Sequence, residues 1–308
     1  MSGGSSGARW AAIDVGTNSV LLLVAERDPL GRLVAVDEAL EMTRLGEGVD
    51  RTGRLGERAL RETVAAVERF AARARALGAE GLAVVATSAA RDASNGADFL
   101  AAIRKATGVD AEILSGEEEA ALTFRSAFAD FGPGPVVALD IGGGSTEVIF
   151  GRGAEVGFSR SFDLGAVRLT ERCIRSDPPG PEELRCVEQT VTEAFREVPA
   201  PEPGAVLVGL AGTVTTLCAI HLGLERYDAR RVHGARLTLD EVRAIEKRLS
   251  ALPLEERMRL PGLPPRRADV IVAGAMLLRI AMERLGFDEV IVSDKGVRWG
   301  LLEARFGG

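Results

Sequence analysis

A short motif occurs twice in this chain, and the repeat limits the folds that the chain can adopt. Asp14-Val-Gly-Thr-Asn-Ser19 returns as Asp140-Ile-Gly-Gly-Gly-Ser145, 126 residues later (140 − 14). An apolar segment precedes each copy and another follows it, so each copy is predicted to form a β-hairpin with a glycine-containing turn. Because the offset is near half of the 308 residues, the repeat indicates a duplicated domain.

The segments outside the two hairpins predict strands that alternate with helices. In the first half we expect a strand at Gly31–Glu41, a helix over Leu55–Leu77, a strand at Leu82–Ala86, a loop that carries Arg91, a helix with Asn95 near its start, a strand around Ala111–Leu114 and a helix from Ser115. In the second half we expect helices from Pro181 and Leu239, a strand at Ala205–Val208, a helix over Ala268–Leu285, a strand at Glu289–Val292 and a closing helix Gly296–Phe306. This alternation is typical of α/β domains.

The glycine- and proline-rich segment Asp130–Pro135 is the predicted domain boundary. It divides the chain into an N-terminal α/β domain (8–130) and a C-terminal α/β domain (131–308). The C-terminal helix (297–308) is expected to pack back on the first domain. The Ser/Gly-rich start, Met1–Gly7, is expected to be disordered.

The composition argues against several kinds of binding and catalytic site. A net charge of −7 argues against nonspecific binding to nucleic acid. With two histidines in the chain, a histidine-based hydrolase or a His-rich metal site is nearly excluded. The three cysteines (Cys173, Cys186 and Cys218) indicate neither a metal cluster nor a disulfide framework, which fits a reduced, cytoplasmic compartment.

One uncharged segment, Gly204–Leu224, has the length that a membrane span requires. Its several Thr and Gly residues and a predicted strand–turn–helix break favour a buried α/β core, and no signal peptide is visible. We therefore expect a cytoplasmic protein that does not contact a membrane.

The turns of the two hairpins are candidate phosphate-binding loops. Gly142, Gly143 and Gly144 leave backbone N–H groups unshielded, and Ser145 and Thr146 add hydroxyl groups. We assign the same role to the first turn, which contains Thr17, Asn18 and Ser19. The alternative is a tight hairpin turn that uses glycine for a positive φ. The pattern is not a Walker A loop, because no Lys follows and the next element is a strand.

Three carboxylates beside these turns are candidate metal ligands. Asp14 and Asp140 end the strands that lead into the turns, and Glu147 lies just beyond the second turn. Hard carboxylate oxygens beside a phosphate loop suit Mg²⁺ or Mn²⁺, with phosphate and water as further ligands. The alternative is that each Asp caps its own turn.

Candidate chemistry also lies at the start of the helix from Ser115. Ser115 and Glu118 have the spacing of a capping box, whereas Glu119 has no local structural role and could deprotonate an attacking water. In the loop after the strand Leu82–Ala86, Ser88 and Arg91 suit a phosphate clamp. The alternatives are a solvated Glu119 and a surface Arg91 paired with a neighbour such as Asp92.

Two further segments are compatible with anions. Gly209–Thr216 joins a strand to a helix whose N-terminus could receive an anion, although plain helix–strand packing explains it equally well. Ser293–Gly296 forms another anion-compatible turn, and Lys295 and Arg298 nearby are equally consistent with a solvated surface.

Taken together, these motifs resemble those of the exopolyphosphatase / guanosine pentaphosphate phosphohydrolase family of the actin-like ATPase superfamily. The resemblance runs from about Ala11 to Leu302. Its elements are Asp14–Ser19, Thr87–Arg91 through Asn95, Ser115–Ala120, Asp140–Glu147, Leu164–Thr170, Val232–Gly234 and Ser293–Gly296. It implies two tandem actin-like (ribonuclease H-like) α/β domains with an interdomain cleft.

The resemblance also implies roles for the candidate residues. Glu119 would be the catalytic base. Asp140 and Glu147 would hold the divalent metal with Asp14 nearby, and the second turn with Arg91 would bind substrate phosphates. The implied substrates are inorganic polyphosphate and guanosine pentaphosphate, and relatives often dimerise, so a homodimer is expected. Longer relatives carry an additional C-terminal helical domain, so a weaker grip on long chains is expected here.

Two other functions are compatible with the sequence. One is an acceptor-dependent phosphotransferase like the sugar and acetate kinases, which would bind an adenine nucleotide at Gly209–Thr216. The other is a catalytically silent regulator that binds the guanosine alarmone. The simultaneous presence of Glu119, Asp140 and Glu147 argues against a silent regulator, which has no need of all three.

Overall fold

The computed structural model of the protein describes residues 7–131, 133–153 and 155–307. Residues 1–6 of the start predicted to be disordered, and Gly132 of the predicted boundary segment, lie outside this range. The chain divides into two compact units: unit 1 extends to Leu122 and includes the chain from Val297, and unit 2 is Thr123–Gly296. The predicted boundary between residues 130 and 131 stays a prediction.

Unit 1 is built around one sheet with the strand order β3-β2-β1-β4-β5. Its described strands are β1 (Arg9–Val15), β2 (Val20–Arg27), β3 (Leu33–Glu41), β4 (Ala79–Ala86) and β5 (Ala111–Ile113). Its helices are α1 (Val49–Thr52), α2 (Glu57–Ala76), α3 (Ser88–Asp92), α4 (Gly96–Thr107), the start of α5 (Gly116–Phe131) and, at the C-terminus, α13 (Val297–Phe306).

Unit 2 is built around a second sheet with the order β10-β11-β9-β6-β7-β8. Its described strands are β6 (Pro135–Ile141), β7 (Thr146–Arg152), β8 (Glu155–Phe162), β9 (Val206–Leu210), β10 (Arg236–Thr238) and β11 (Glu289–Val292). Its helices are α6 (Ala166–Cys173), α7 (Pro181–Ala194), α8 (Ala211–His221), α9 (Ala229–Val232), α10 (Leu239–Ala251), α11 (Leu254–Arg257) and α12 (Ile271–Leu285), with 3₁₀ turns at Phe195–Glu197 and Pro265–Arg267.

The two sheets share a topology, which confirms the repeated α/β architecture. In unit 1, β1, β2 and β3 pair antiparallel, and β4 joins β1 in parallel. In unit 2, β6, β7 and β8 pair antiparallel, and β9 joins β6 in parallel. The register shift between the second and third strands follows Val24 in unit 1 and Phe150 in unit 2, which are also 126 residues apart (150 − 24).

Alternation along β1 shows how the sequence places two helical layers on the first sheet. Ile13 and Val15 belong to the core that includes residues of α2 and α4. Ala12, on the opposite face, belongs to the cluster that includes Leu301 of α13. Successive side chains of a strand point to opposite faces, so a strand covered on both faces becomes apolar throughout.

Three sequence expectations need correction or comment. Arg91 lies in the short helix α3 and not in a loop. Cys173 and Cys186 form a disulfide, contrary to the expectation of no disulfide framework. The last residue of α6 meets a residue within α7, a contact that their spacing of 13 residues does not reveal. The segment Gly204–Leu224 forms β9 and α8, and none of the described helices has the length and hydropathy of a membrane span.

Candidate active site

The turn of the second hairpin, Gly142–Ser145, has its carbonyl groups occupied and its N–H groups largely open. The Gly142 carbonyl accepts from Ala166 N (3.0 Å), and the Gly143 carbonyl accepts from Val167 N (2.9 Å). The Gly144 carbonyl accepts from the Arg168 side chain at 2.8 Å. Among the described residues, neither Gly143 nor Gly144 finds an acceptor for its backbone N–H. Such a turn presents donors to an anion.

The shape of this turn depends on a close approach by Gly165 and not on a positive φ. Gly142, Gly143 and Gly144 are absent from the glycines with positive φ, so the alternative explanation by a left-handed turn is wrong. Instead, a Cβ on Gly165 would come within 2.4 Å of the Gly143 backbone. The start of α6 therefore packs directly on the turn and fixes its shape.

The turn of the first hairpin, Gly16–Ser19, repeats this arrangement within unit 1. Gly16 N donates to Ser19 O at 2.9 Å, as Gly142 N does to Ser145 O at 3.0 Å. The carbonyls of Thr17 and Asn18 accept from the backbone of residues 46 and 44, at 2.8 and 3.1 Å. The backbone N–H groups of Thr17 and Asn18 donate to no described residue, and the buried Asn18 Oδ1 has no hydrogen-bond partner among them.

Asp140 and Glu147 form a pair of buried carboxylates in unit 2. They are directly opposite each other on β6 and β7, and facing residues in such pairs have Cβ atoms about 4.5–5.5 Å apart. Asp140 is 6% exposed and Glu147 is 1% exposed. Burial raises the pKa of Asp140 to about 6, and the hydrogen bond from Thr123 opposes this rise.

A divalent cation fits this pair, because two buried carboxylates repel each other and hard oxygen ligands suit Mg²⁺ or Mn²⁺. In the first hairpin the residue opposite Asp14 is Leu21, so the second hairpin alone offers a facing pair. Within the described ranges, no group of three or more His, Cys, Asp or Glu side chains is placed to hold a metal. A role for Asp14 as a third ligand stays a prediction.

Glu119 is buried and paired in unit 1. It is 7% exposed, and its Oε2 accepts from Arg91 Nη1 at 3.1 Å. The same Nη1 donates to the carbonyl of Leu114 at 2.8 Å. Neither a solvated Glu119 nor an Arg91 paired with Asp92 is observed. The predicted capping box is confirmed by reciprocal bonds between Ser115 and Glu118 at 2.8 and 3.2 Å.

The first turn and α3 lie at the same edge of the unit 1 sheet. They follow β1 and β4, which are parallel neighbours with Val15 opposite Ala86, and Thr87 N donates to Val15 O at 3.1 Å. A Cβ on Gly46 would come within 2.1 Å of Thr17 and 3.3 Å of Ala89. The first turn, Ser88 and Arg91 therefore lie at one edge of the unit 1 sheet. Glu119 lies there too, because it accepts a hydrogen bond from Arg91. Ser88 is buried and bonds Asp92 at 3.5 Å.

Several side chains here were not predicted from the sequence. The Thr123 hydroxyl donates to Asp140 Oδ2 at 3.0 Å, and the Ser161 hydroxyl donates to Glu147 Oε1 at 2.7 Å. Thr123 lies in α5 and Ser161 in β8, both outside the motifs, so no local pattern marks them. Thr146 is a predicted phosphate ligand, but its hydroxyl donates to Leu164 O at 2.6 Å. That hydroxyl proton is therefore already used in a hydrogen bond within unit 2.

The residues of the two anion-compatible segments have defined places in the fold. Lys295 pairs with Asp130 Oδ1 at 2.6 Å. Arg298, in unit 1, is buried and donates to Leu22 O at 2.8 Å. Neither residue is therefore a freely solvated surface cation. Gly209–Thr216 forms the end of β9 and the first part of α8.

Comparison with known proteins matches this arrangement to one family. The sequence model of the Ppx/GppA phosphatase family matches residues 23–305. The chain belongs to this family. Exopolyphosphatase 2 of Mycobacterium tuberculosis is 40% identical over 311 aligned residues, which cover 95% of this chain and 97% of that protein. Exopolyphosphatase 1 of the same organism is 32% identical over 300 residues, covering 96% and 87%.

Solved structures of family members have the same fold. The Aquifex aeolicus Ppx/GppA family member superposes with a TM-score of 0.82 at 33% identity, covering 97% of both chains. An exopolyphosphatase from Cytophaga hutchinsonii superposes with a TM-score of 0.87 at 25% identity, covering 97% of this chain and 98% of that one. This family resemblance and the actin-like α/β fold are therefore confirmed, and the protein is a phosphoanhydride hydrolase.

Proposed function

We propose that this protein is an exopolyphosphatase that releases orthophosphate from the end of inorganic polyphosphate, with guanosine pentaphosphate as a second substrate. The observation that carries the proposal is the second turn, which has open N–H groups beside the buried pair Asp140 and Glu147. A terminal phosphate needs donors for its oxygens and a countercharge for its negative charge. The names of the relatives support the same activity.

The second turn, Arg91 and Glu119 have separate roles in this reaction. The N–H groups of residues 143 and 144 bind the terminal phosphate, and Arg91 holds Glu119 in one orientation. Glu119 accepts a proton from a water whose oxygen attacks the terminal phosphorus. The bond to the bridging oxygen breaks, so that orthophosphate and a chain one phosphate shorter leave.

Asp140 and Glu147 would hold a divalent cation, for which we propose Mg²⁺, with Mn²⁺ as a substitute. When bound, the cation offsets the charge of the phosphate. Thr123 and Ser161 orient the two carboxylates through their hydroxyl groups, as hydrogen-bonding partners of ligating carboxylates do in metal sites. The homodimer and the cytoplasmic location are part of the proposal and rest on the resemblance and the composition.

The decisive experiment replaces Glu119 by Gln and measures phosphate release from polyphosphate. Loss of a general base should lower kcat by roughly 10²–10⁴. The matched control is Glu117→Gln, an exposed residue two positions earlier in α5, which should retain normal turnover. Near-normal kcat in Glu119→Gln would reject the role of this residue.

The substrate and the metal are tested by phosphate release with and without Mg²⁺. Long polyphosphate, short polyphosphate and guanosine pentaphosphate are compared side by side in the absence of any sugar or carboxylate acceptor. Release without an acceptor excludes the phosphotransferase alternative, and binding of the alarmone without release would support the silent regulator. Size-exclusion chromatography with light scattering tests the homodimer.

A further inference from the structure

The disulfide between Cys173 and Cys186 restrains the helix on which the turn of the second hairpin rests. Cys173 is the last residue of α6, and Cys186 lies within α7. The proposed reaction uses neither cysteine. The other end of α6 contacts the phosphate-binding turn, so this helix joins the disulfide to the candidate active site.

The first residues of α6 set the directions of the phosphate donors. Ala166 N donates to the carbonyl of Gly142 at 3.0 Å, and Val167 N donates to the carbonyl of Gly143 at 2.9 Å. Each of these carbonyls shares a planar peptide unit with the N–H of the next residue. The two bonds therefore orient the N–H groups of Gly143 and Gly144, to which the proposed function assigns the terminal phosphate. A shift of α6 would turn both donors.

The position of α6 depends on what its two ends contact. The helix has eight residues, and isolated helices shorter than about 12 residues are marginal in water. The disulfide bonds its last residue to α7, whose Val187 and Val191 are fully buried in the main core of unit 2. The covalent bond thus fixes the end of α6 to a helix that the core holds in place.

This disulfide is open to attack on one side. Cys173 is 7% exposed, whereas Cys186 is half-buried and lies among exposed residues of α7, namely Glu182, Arg185 and Gln189. Exchange depends on access to the sulfur that is attacked, which favours the Sγ of Cys186. The remaining cysteine, Cys218, is buried, and burial raises its pKa to about 11. Thiol exchange is therefore confined to the bonded pair.

The fold can accommodate the pair in its reduced form. Thr190 Oγ1 lies 4.0 Å from Cys173 Sγ, so a thiol at Cys173 has an acceptor beside it. The Glu183 carboxylate accepts from the backbone N–H of Arg175 at 2.6 Å and of Gly180 at 2.8 Å, and these bonds hold the segment between the two helices. Reduction would therefore release the end of α6 without releasing that segment.

We propose that Cys173 and Cys186 form a redox modification site, at which exchange with a dithiol lowers the affinity of the Gly142–Ser145 turn for substrate phosphate. This inference rests on the proposed function and adds regulation to its phosphate site. A thiolate of the dithiol attacks Sγ of Cys186, the bond to Cys173 breaks, and the Cys173 thiolate takes up a proton. The second thiol of the reductant then displaces Cys186 and closes a disulfide within the reductant, so that two electrons and two protons pass to the pair.

The test compares phosphate release from polyphosphate, with Mg²⁺, by the protein purified without reductant and by the same protein after treatment with dithiothreitol. Alkylation in denaturant, followed by mass spectrometry, establishes the state of each cysteine. We expect KM to rise roughly 5-fold or more on reduction, the lower limit of common coupling between two sites. The value of kcat should change little, because a loss of binding shared by substrate and transition state raises KM alone. Oxidised glutathione should restore the low KM.

Two variants and one structural measurement assign the effect. Cys186→Ala cannot form the disulfide and should have the high KM with and without dithiothreitol; Ala suits a half-buried helix position. Cys218→Ala is the matched control, because it removes the cysteine outside the pair and should keep the full response. Hydrogen exchange should be faster in α6 and in the Gly142–Ser145 turn of the reduced protein, and unchanged in the sheet of unit 1.

The possible failures are separable from one another. A disulfide that dithiothreitol does not reduce in the folded protein, or a reduced protein with unchanged KM, would overturn the inference and leave the proposed function intact. A fall in kcat at constant KM, or faster exchange throughout the chain, would overturn it too, because the effect would then not lie at the phosphate turn. If neither redox form binds or hydrolyses any phosphoanhydride, the proposed function is wrong and the inference fails with it.

Discussion

Replacing Asp140 by Asn should make the metal-free protein more stable while it abolishes activity. Asp140 is buried opposite Glu147, and burial raises its pKa from 3.8 to about 6. The folded protein therefore pays to keep this carboxylate ionised at neutral pH. Asn has nearly the same shape and can still accept the hydrogen bond from Thr123, but it carries no charge.

The pKa gives the size of the effect. A rise from 3.8 to about 6 corresponds to about 3 kcal/mol of unfolding free energy. Because the folded state holds the proton more tightly than the unfolded chain, the penalty is fully present above about pH 6 and disappears as the pH falls towards about 4. For a unit of this size, 3 kcal/mol corresponds to a Tm change of about 6–12 °C.

The assay is thermal unfolding in EDTA at pH 7.5 and at pH 4.5, for wild type and Asp140→Asn. We expect the variant to have the higher Tm at pH 7.5, with a much smaller difference at pH 4.5. Asp163→Asn, at an exposed residue of the same unit, is the control and should have the wild-type Tm at both. A variant less stable than wild type at pH 7.5 without metal would refute the reasoning, and Mg²⁺ should stabilise wild type but not Asp140→Asn.

Three further predictions follow from single contacts. Gly165→Ala should raise KM for polyphosphate at least several-fold, because its Cβ would lie 2.4 Å from the Gly143 backbone and would displace the phosphate turn; unchanged steady-state kinetics would contradict this. Arg91→Met should lower kcat by roughly 10-fold or more, since it removes the hydrogen bond from Arg91 to Glu119, whereas unchanged kcat would show that the pair is dispensable. Native protein purified without reductant should show no fast-reacting thiol in a thiol-titration assay. Two of the three cysteines form the disulfide, and burial raises the pKa of the Cys218 thiol to about 11. One fast-reacting thiol per chain would contradict the unreactive state expected of Cys218.

Local patterns predicted much of the fold. The two hairpins, the capping box of α5 and the periodic helix α2 each depend on residues within a few positions of one another. Interactions of this range leave a signature of spacing and composition that can be read directly. The helical state of Arg91 was missed because α3 has only five residues, fewer than a periodic pattern needs.

The sequence predicted which residues belong to the candidate site, but it did not predict what those residues contact. Glu119, Asp140 and Glu147 were identified as motif residues, and their burial and partners emerge only in the folded chain. Thr123 and Ser161 carry no motif signal, since single Thr and Ser residues occur throughout the chain.

The sequence by itself determined the repeat, the phosphate turns and the carboxylates, because each is a matter of residue type at fixed short spacing. Only the tertiary structure decided that Arg91 meets Glu119, that the second of the two hairpins offers facing acids and that Cys173 bonds Cys186. These contacts join separate elements, and the packing of each unit's core places those elements against one another.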